Sequence, residues 1–362
     1  MLDYKNPHLV VETSKIESGK ITWKSPSNLA IIKYWGKYGQ QLPQNPSISF
    51  TLDQAFTETT LEYHIKPEPH QSVSLDFYFE NKANEPFQKK VIAFLESLTA
   101  FFPFLTQLHF TINSYNSFPH SSGIASSASS MSALALCICS LEKQLFGSLD
   151  DKHEFLQKAS FIARLGSGSA CRSVYPKMAV WGESGEVEGS SNLFAVPYEQ
   201  NIHDIFTNYH DDILIVNRGE KSVSSRAGHS LMEGNIYAAN RYQQARQRMH
   251  QLLAALRKGD LETFGTIAEN EALTLHALMM TSNPSYLLIR PNTLKLIEMV
   301  RNFRKETKLP LYFSLDAGPN LHLLYPDNEA DKIQSFINSE LKPYCENGEI
   351  ISDRVGNGPI AL

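Results

Sequence analysis

Asn116-Ser-Phe-Pro-His-Ser-Ser-Gly-Ile-Ala-Ser-Ser-Ala-Ser-Ser130 runs straight into Met131-Ser-Ala-Leu-Ala-Leu-Cys-Ile-Cys139. Pro119 and Gly123 are turn formers, and the residues after Ser130 are apolar and rich in helix formers. The stretch reads as a loop feeding a buried helix. Small residues let a backbone approach a ligand closely. The first-turn N–H groups of a helix have no helical partner and carry the positive end of its dipole. Serine hydroxyls add rotatable donors, so the loop has the makings of a phosphate cradle. The other use of such a sequence is a Ser/Ala-rich helix packed tightly against a sheet. No Gly-Lys-Ser/Thr follows, so this is not a Walker loop, and it is not a dinucleotide fingerprint either.

Working outward, a strand at 108–113 delivers the chain to the loop. Upstream, 21–24, 29–32, 47–52, 57–65 and 73–79 read as strands, the last two as a hairpin or meander, with a helix at 87–102. A short strand near 9–11 belongs to a polar lead-in. Several antiparallel-looking strands ahead of the loop argue against a doubly wound parallel fold. Downstream, a helix over 150–165 is capped by Asp150 or Asp151. It leads into Gly166-Ser-Gly-Ser-Ala-Cys-Arg-Ser173, where Arg172 stands among Ser167, Ser169 and Ser173 in a small-residue turn. A strand at 178–181 follows.

Residues 185–210 read as a connection, which places a boundary near 205 and domains at 1–205 and 206–362. The second half offers a strand at 213–216, a polar loop at 221–228 and helices at 230–258, 260–280 and 292–306. Strands at 311–315 and 321–325 flank Asp316-Ala-Gly-Pro-Asn320, and a helix over 327–341 comes last. The fold class is α+β. A length of 362 residues suits two domains.

A formal net charge of -5 argues against a nucleic-acid binder. The four cysteines form no CxxC pair, as expected of core packing in a reducing compartment. No run of about 18 apolar residues suggests a membrane span, and the N-terminus lacks a signal peptide's apolar segment. A soluble, cytoplasmic protein is expected. The histidines are scattered without an HExxH pattern, so no zinc site is expected.

Four motifs now stand in order: Asn28…Lys33-Tyr-Trp-Gly-Lys37, Pro119-His-Ser-Ser-Gly-Ile-Ala-Ser-Ser-Ala-Ser129, Gly166-Ser-Gly-Ser-Ala-Cys-Arg-Ser173 and Asp316-Ala-Gly-Pro-Asn320. Together they resemble the mevalonate diphosphate decarboxylase family of the GHMP kinase superfamily, over about residues 22 to 326. The resemblance implies a two-domain GHMP kinase-like fold. Its N-terminal domain would be like the second domain of a ribosomal protein, its C-terminal domain ferredoxin-like, with the active site in the cleft between. It implies ATP-dependent decarboxylation of 5-diphosphomevalonate to isopentenyl diphosphate, with ATP and Mg²⁺ as cofactors and a homodimeric assembly. A kinase of the same superfamily that stops at phosphorylation, acting on mevalonate or its monophosphate, is the alternative. A non-catalytic sensor on the same fold is a third.

The resemblance also assigns residues. Pro119, His120, Ser121, Ser122, Gly123, Ile124, Ala125, Ser126 and Ser127 would hold the ATP phosphates. Arg172 would clamp the substrate carboxylate, since a planar guanidinium matches a planar carboxylate as lysine cannot, with Ser167 and Ser169 donating beside it. Tyr34 and Lys37 fall near the substrate's diphosphate and reacting hydroxyl, Lys37 assisting transfer, and Ser225 and Arg226 match a diphosphate-holding segment. Asp316 matches the catalytic aspartate. An ordinary Asp, with a pKa of about 3.9, cannot strip an alcohol in a prior step. It can orient the hydroxyl and take its proton as the phosphoryl group transfers. Lys33 is given no role, and the Mg²⁺ ligands stay unassigned. Pro176-Lys177 stands where family members often carry Gly-Gly.

Overall fold

The computed structural model describes residues 4–12, 16–66, 72–119, 124–219 and 225–362, with Ser225 and Arg226 by backbone only. Two sheets organise them. The larger takes strands β1 (Gly19–Ala30), β4 (Ser47–Ile65), β5 (Ser74–Phe79), β6 (Lys82–Ala83), β7 (Leu108–Asn116), β8 (Met178–Trp181) and β9 (Ala195–Pro197). A small hairpin of β2 (Lys37–Tyr38) and β3 (Leu42–Pro43) stands apart. The second sheet holds β10 (His210–Leu214), β11 (Tyr312–Ser314), β12 (Leu321–Tyr325) and β13 (Ile350–Ile351), in the order β11-β12-β10-β13. The final strand, β14 (Ile360–Ala361), returns to pair with β1 of the larger sheet.

Two pairs of expected strands are each continuous. Residues 21–24 and the start of 29–32 belong to β1, which carries a register shift between Pro26 and Asn28. Residues 47–52 and 57–65 belong to β4. The 57–65 and 73–79 segments do not pair with each other: β7 lies between them, antiparallel to β4 and parallel to β5. Residues 9–11 form no strand, yet Leu9 and Val11 are buried and tied to Phe104 and Gln107 by hydrogen bonds.

Burial along β4 shows which of its faces are covered. Beyond Ala55 it alternates, with Thr57, Thr59, Leu61 and Tyr63 turned inward, as in a strand with one covered face. Helices α1 (Glu85–Ser97), α2 (Ser126–Phe146) and α3 (Lys152–Gly166) pack on that face. The first six residues of β4 are all buried, because the second half of the chain covers their other side. There Ile48, Phe50 and Leu52 meet Met249 and Leu252 of α5 (Ala238–Lys258) and Phe264 of α6 (Leu261–Met280). The second sheet is likewise sandwiched. Ile213, Tyr312 and Leu324 turn to the core shared with α5 and α6. Leu214, Phe313, Leu323 and Tyr325 turn to α7 (Pro291–Thr307) and α8 (Ala330–Phe336). The short helix α4 (Ser225–Ser230) precedes α5. Helix α5 is shorter than the expected 230–258, and the last expected helix is cut into α8 and a π-helical turn at Ile337–Leu341.

Caps follow the sequence. Asp151 accepts from Glu154 N at the start of α3, and Asp260 from Thr263 N at the start of α6. Helix α2 has no side-chain cap. Its N-cap residue, Ala125, sits in the left-handed region at φ 47°.

A candidate active site where four motifs converge

The packing reading of the serine stretch holds on the buried face of α2. Ser132 is hydrogen-bonded to Ser25 of β1 at 2.7 Å and Ser129 to Thr57 of β4 at 2.6 Å, so these buried hydroxyls fasten the helix to the sheet. Ser127 is exposed, and its hydroxyl lies 3.2 Å from that of Ser167 in the following turn. The uncapped first turn of α2 therefore opens beside Ser167. Ser27 donates to the carbonyl of Ile124 at 2.6 Å, tying the end of the loop to β1. Of the expected cradle, Pro119, Ile124, Ala125, Ser126 and Ser127 are described; His120, Ser121, Ser122 and Gly123 lie outside the described residues.

The turn after α3 brings in Arg172. Asn28 Nδ2 donates to the Ser169 carbonyl and to Ser173 Oγ, at 3.2 and 2.8 Å. Arg172 Nε donates to Ser49 Oγ at 2.8 Å and Nη2 to Asn28 Oδ1 at 3.3 Å. The side chain is 1% exposed, and its Nη1 has no hydrogen-bond partner among the described residues. No carboxylate pairs with it among the described residues. Burial pulls its pKa down, while Cys171 and Asp316 act the other way. The guanidinium is thus buried among neutral groups, with no carboxylate bonded to it among the described residues. Tyr34 stands in the same electrostatic neighbourhood. Its ring is edge-on to Trp181 at 4.6 Å, and its buried hydroxyl has no partner. Gly168 makes this possible: a Cβ there would collide with Tyr34 and Trp181.

Asp316 is where the second half meets the first. Its Oδ1 accepts from Lys33 Nζ at 2.8 Å. The lysine side chain is 3% exposed and the aspartate 21%, so the carboxylate is partly accessible to solvent. The turn is braced from several sides. Gly318 N and His276 Nε2 donate to the Asp316 carbonyl, at 2.7 and 3.0 Å. Thr293 Oγ1 donates to the carbonyl of Pro319 at 2.7 Å. Asn320 Oδ1 accepts from the backbone of Val216 and Asn217, fixing the turn to the end of β10. Asp-Ala-Gly-Pro-Asn is thus a turn with a built frame.

Lys33 was given no role in the sequence reading, and it is the lysine that reaches Asp316. Lys37 Nζ is bonded to Gln41 Oε1 at 3.0 Å, in the β2–β3 hairpin. Lys33 is set from behind by a fully buried carboxylate. Glu271 Oε2 accepts from Lys33 N at 2.9 Å, while Arg241 donates to both Glu271 oxygens, at 2.9 and 2.6 Å, and to the Lys33 carbonyl at 3.2 Å. Arg248 adds a contact to Glu271 at 2.8 Å, and Asn45 a bond to the Lys33 carbonyl. Position inside the Lys33–Lys37 run was the sole signal for Lys33, and nothing in the sequence marked Glu271. Ser225 and Arg226 lie in α4, placed by backbone alone.

The donor chemistry fits a nucleotide's phosphates: an uncapped helix start flanked by Ser126 and Ser127. No group of three or more His, Cys, Asp or Glu that could hold a metal occurs among the described residues. Mg²⁺ that arrives with ATP takes phosphate oxygens and water as its main ligands. No helix among the described residues is long and apolar enough to cross a membrane.

The chain is similar to known proteins over most of its length. Residues 25–193 match the diphosphomevalonate decarboxylase-like N-terminal domain, and residues 212–359 the mevalonate 5-diphosphate decarboxylase C-terminal domain. A diphosphomevalonate decarboxylase of Eremothecium gossypii is 30% identical over 84% of this chain and 78% of its own. A mevalonate diphosphate decarboxylase from Enterococcus faecalis superposes with a TM-score of 0.79 at 26% identity, over 96% of this chain and 99% of that one. MDDEF in complex with MVAPP, AMPPCP and magnesium gives 0.80 at 27% identity, again over 96% and 99%. The chain belongs to the diphosphomevalonate decarboxylase family.

Proposed function

We propose that the protein catalyses ATP-dependent decarboxylation of 5-diphosphomevalonate, yielding isopentenyl diphosphate, ADP, phosphate and CO2. The observation that carries this reading is Arg172: buried, without a carboxylate partner among the described residues, and within electrostatic reach of the Lys33–Asp316 pair. A carboxylate held there would lie beside an acid able to handle the neighbouring hydroxyl.

Bound ATP with Mg²⁺ supplies the phosphoryl group that turns a tertiary hydroxyl into a leaving group. Asp316, partly exposed, orients that hydroxyl and takes the proton as the oxygen is phosphorylated. Lys33 holds Asp316 in its ionised, oriented form and places positive charge where transferring oxygens gather charge. Arg172, with Ser167 and Ser169 beside it, keeps the carboxylate in place until the C–C bond breaks. Tyr34, Lys37, Ser225 and Arg226 serve the diphosphate end, and Pro119 to Ser127 the ATP phosphates. We read residues 1–205 and 206–362 as the two domains, supported by the split of sheet membership near 205. The assembly is read as a homodimer, and a reducing, cytoplasmic setting fits four free, buried cysteines.

The test offers mevalonate, its 5-phosphate and its 5-diphosphate side by side with ATP, each labelled at the carboxyl. Labelled CO2 is expected from the diphosphate. ADP formation without CO2 would leave a kinase, and CO2 from the monophosphate alone would change the substrate.

A further inference from the structure

His229 belongs to none of the four motifs. It lies near the end of α4, half-buried, with its ring between two aromatic side chains of the other half of the chain. Its centroid is 4.3 Å from that of Tyr34 and 4.5 Å from that of Trp35, tilted by 38° and 35°. Its Nδ1 accepts from Gly36 N at 3.1 Å. Gly36 is held at φ 96°, and a Cβ there would strike the Tyr242 ring, so glycine is required at that place. Helix α4 is also pressed close: a Cβ on Gly228 would meet Trp35 and Tyr286.

An imidazole that accepts at Nδ1 is neutral, with its proton on Nε2. Burial lowers the His229 pKa to about 3, and the charge of Lys37 acts in the same direction. The ring is therefore a fixed acceptor across the working pH range. Tyr34 is held on one side by His229 and on the other by Trp181, above Gly168. One side chain thereby joins α4 to the backbone and both rings of the Tyr34–Lys37 run.

We propose that His229 is a positioning residue for substrate binding: by accepting the Gly36 N–H and filling the gap between Tyr34 and Trp35, it holds α4 and the Tyr34–Lys37 run together as one wall of the site. The proposal rests on the functional reading above for the meaning of that wall. A residue serving packing alone needs an apolar ring there. The Gly36 N–H is what an apolar ring would leave without its acceptor.

Two variants separate the roles. H229F keeps a ring and removes the acceptor; H229N returns an oxygen near the place of Nδ1 and removes the ring. With 5-diphosphomevalonate and ATP, H229F is expected to raise KM for the organic substrate about tenfold, with kcat within about twofold and KM for ATP unchanged. H229N is expected to recover part of that loss. Amide exchange at Gly36 gives a readout that needs no turnover. It should quicken about tenfold in H229F and return toward the wild-type rate in H229N, since the amide regains an acceptor. Wild-type protein without CO2 release would sink the functional reading and leave the exchange result to judge His229. Should H229F fail to fold, H229N against H229A makes the same comparison. Unchanged KM and Gly36 exchange in H229F, or H229N no better than H229A, would overturn the proposal.

Discussion

Arg241 and Arg172 are both withdrawn from solvent, at 3% and 1% exposure, yet the protein treats them differently. Arg241 is met by the carboxylate of Glu271, two bonds to two oxygens, so its charge is neutralised within the chain. Arg172 is met by Ser49 and Asn28, which are neutral; each arginine keeps one nitrogen without a hydrogen-bond partner among the described residues, Nη1 of Arg172 and Nε of Arg241, so the difference lies in the counter-charge. Desolvating a guanidinium is costly unless it is paired. The first arginine has offset that cost by building a platform under Lys33. The second keeps its positive charge available beside Asp316. We read burial without an internal counter-charge, at Arg172, as a proposed anion site, and burial with one, at Arg241, as architecture.

Four substitutions test this contrast. The largest effect is expected from Asp316→Asn, which keeps the shape of the turn and removes the proton acceptor. Turnover should fall by about 10³-fold or more, while binding of ATP and substrate persists. Near-normal turnover in steady-state assays would break the assignment. Glu271→Ala should act on the fold. Leaving Arg241 uncompensated in the interior is expected to cost about 3–5 kcal/mol in denaturant unfolding. A loss under 1 kcal/mol would mean that the Glu271 platform carries no stability.

Arg172→Lys is expected to be milder for stability and selective for function. A lysine cannot present the planar fork, so kcat/KM for the organic substrate should fall by about 10²-fold, with ATP affinity unaffected. A fall in ATP affinity instead would move Arg172 to the nucleotide. The smallest effect concerns an acid that takes the opposite solution to Glu271. Asp353 is buried and accepts backbone N–H bonds from Asp53, Gln54, Ala55 and Arg354, with no cation among these four bonds. Burial raises its pKa to about 6, against the effect of those bonds. A folded-state pKa above the unfolded one means that the folded protein binds more protons between about pH 4 and 6. Its contribution to stability is full below that window and is lost as pH rises through it, with a slope of at most about 1.4 kcal/mol per pH unit. Unfolding measured across the window should show this slope in the wild type and lose it in Asp353→Asn.

Much of the arrangement was open to a reader of the residues in order. The run of small residues before Met131 announced a loop feeding a helix start, because steric freedom and helix propensity are local properties. Arg172 among serines and Asp316 in its turn were visible for the same reason, and the order of the four motifs carried the family. The caps at Asp151 and Asp260 needed no tertiary information either. What only the folded chain decided was pairing. Lys33 and Lys37 are four residues apart in one motif, and either ammonium could have been Asp316's partner. The choice fell to Lys33 because Glu271, Arg241 and Asn45 fix its backbone, and those residues come from distant helices and loops. The place of β7 between β4 and β5, and the return of β14 to β1, were equally closed to local reading. Alternation along a strand tells which face is buried and says nothing about which neighbour lies beside it. His229 is the plainest case: its role comes from three residues nearly two hundred positions away, and packing alone brings them to one ring.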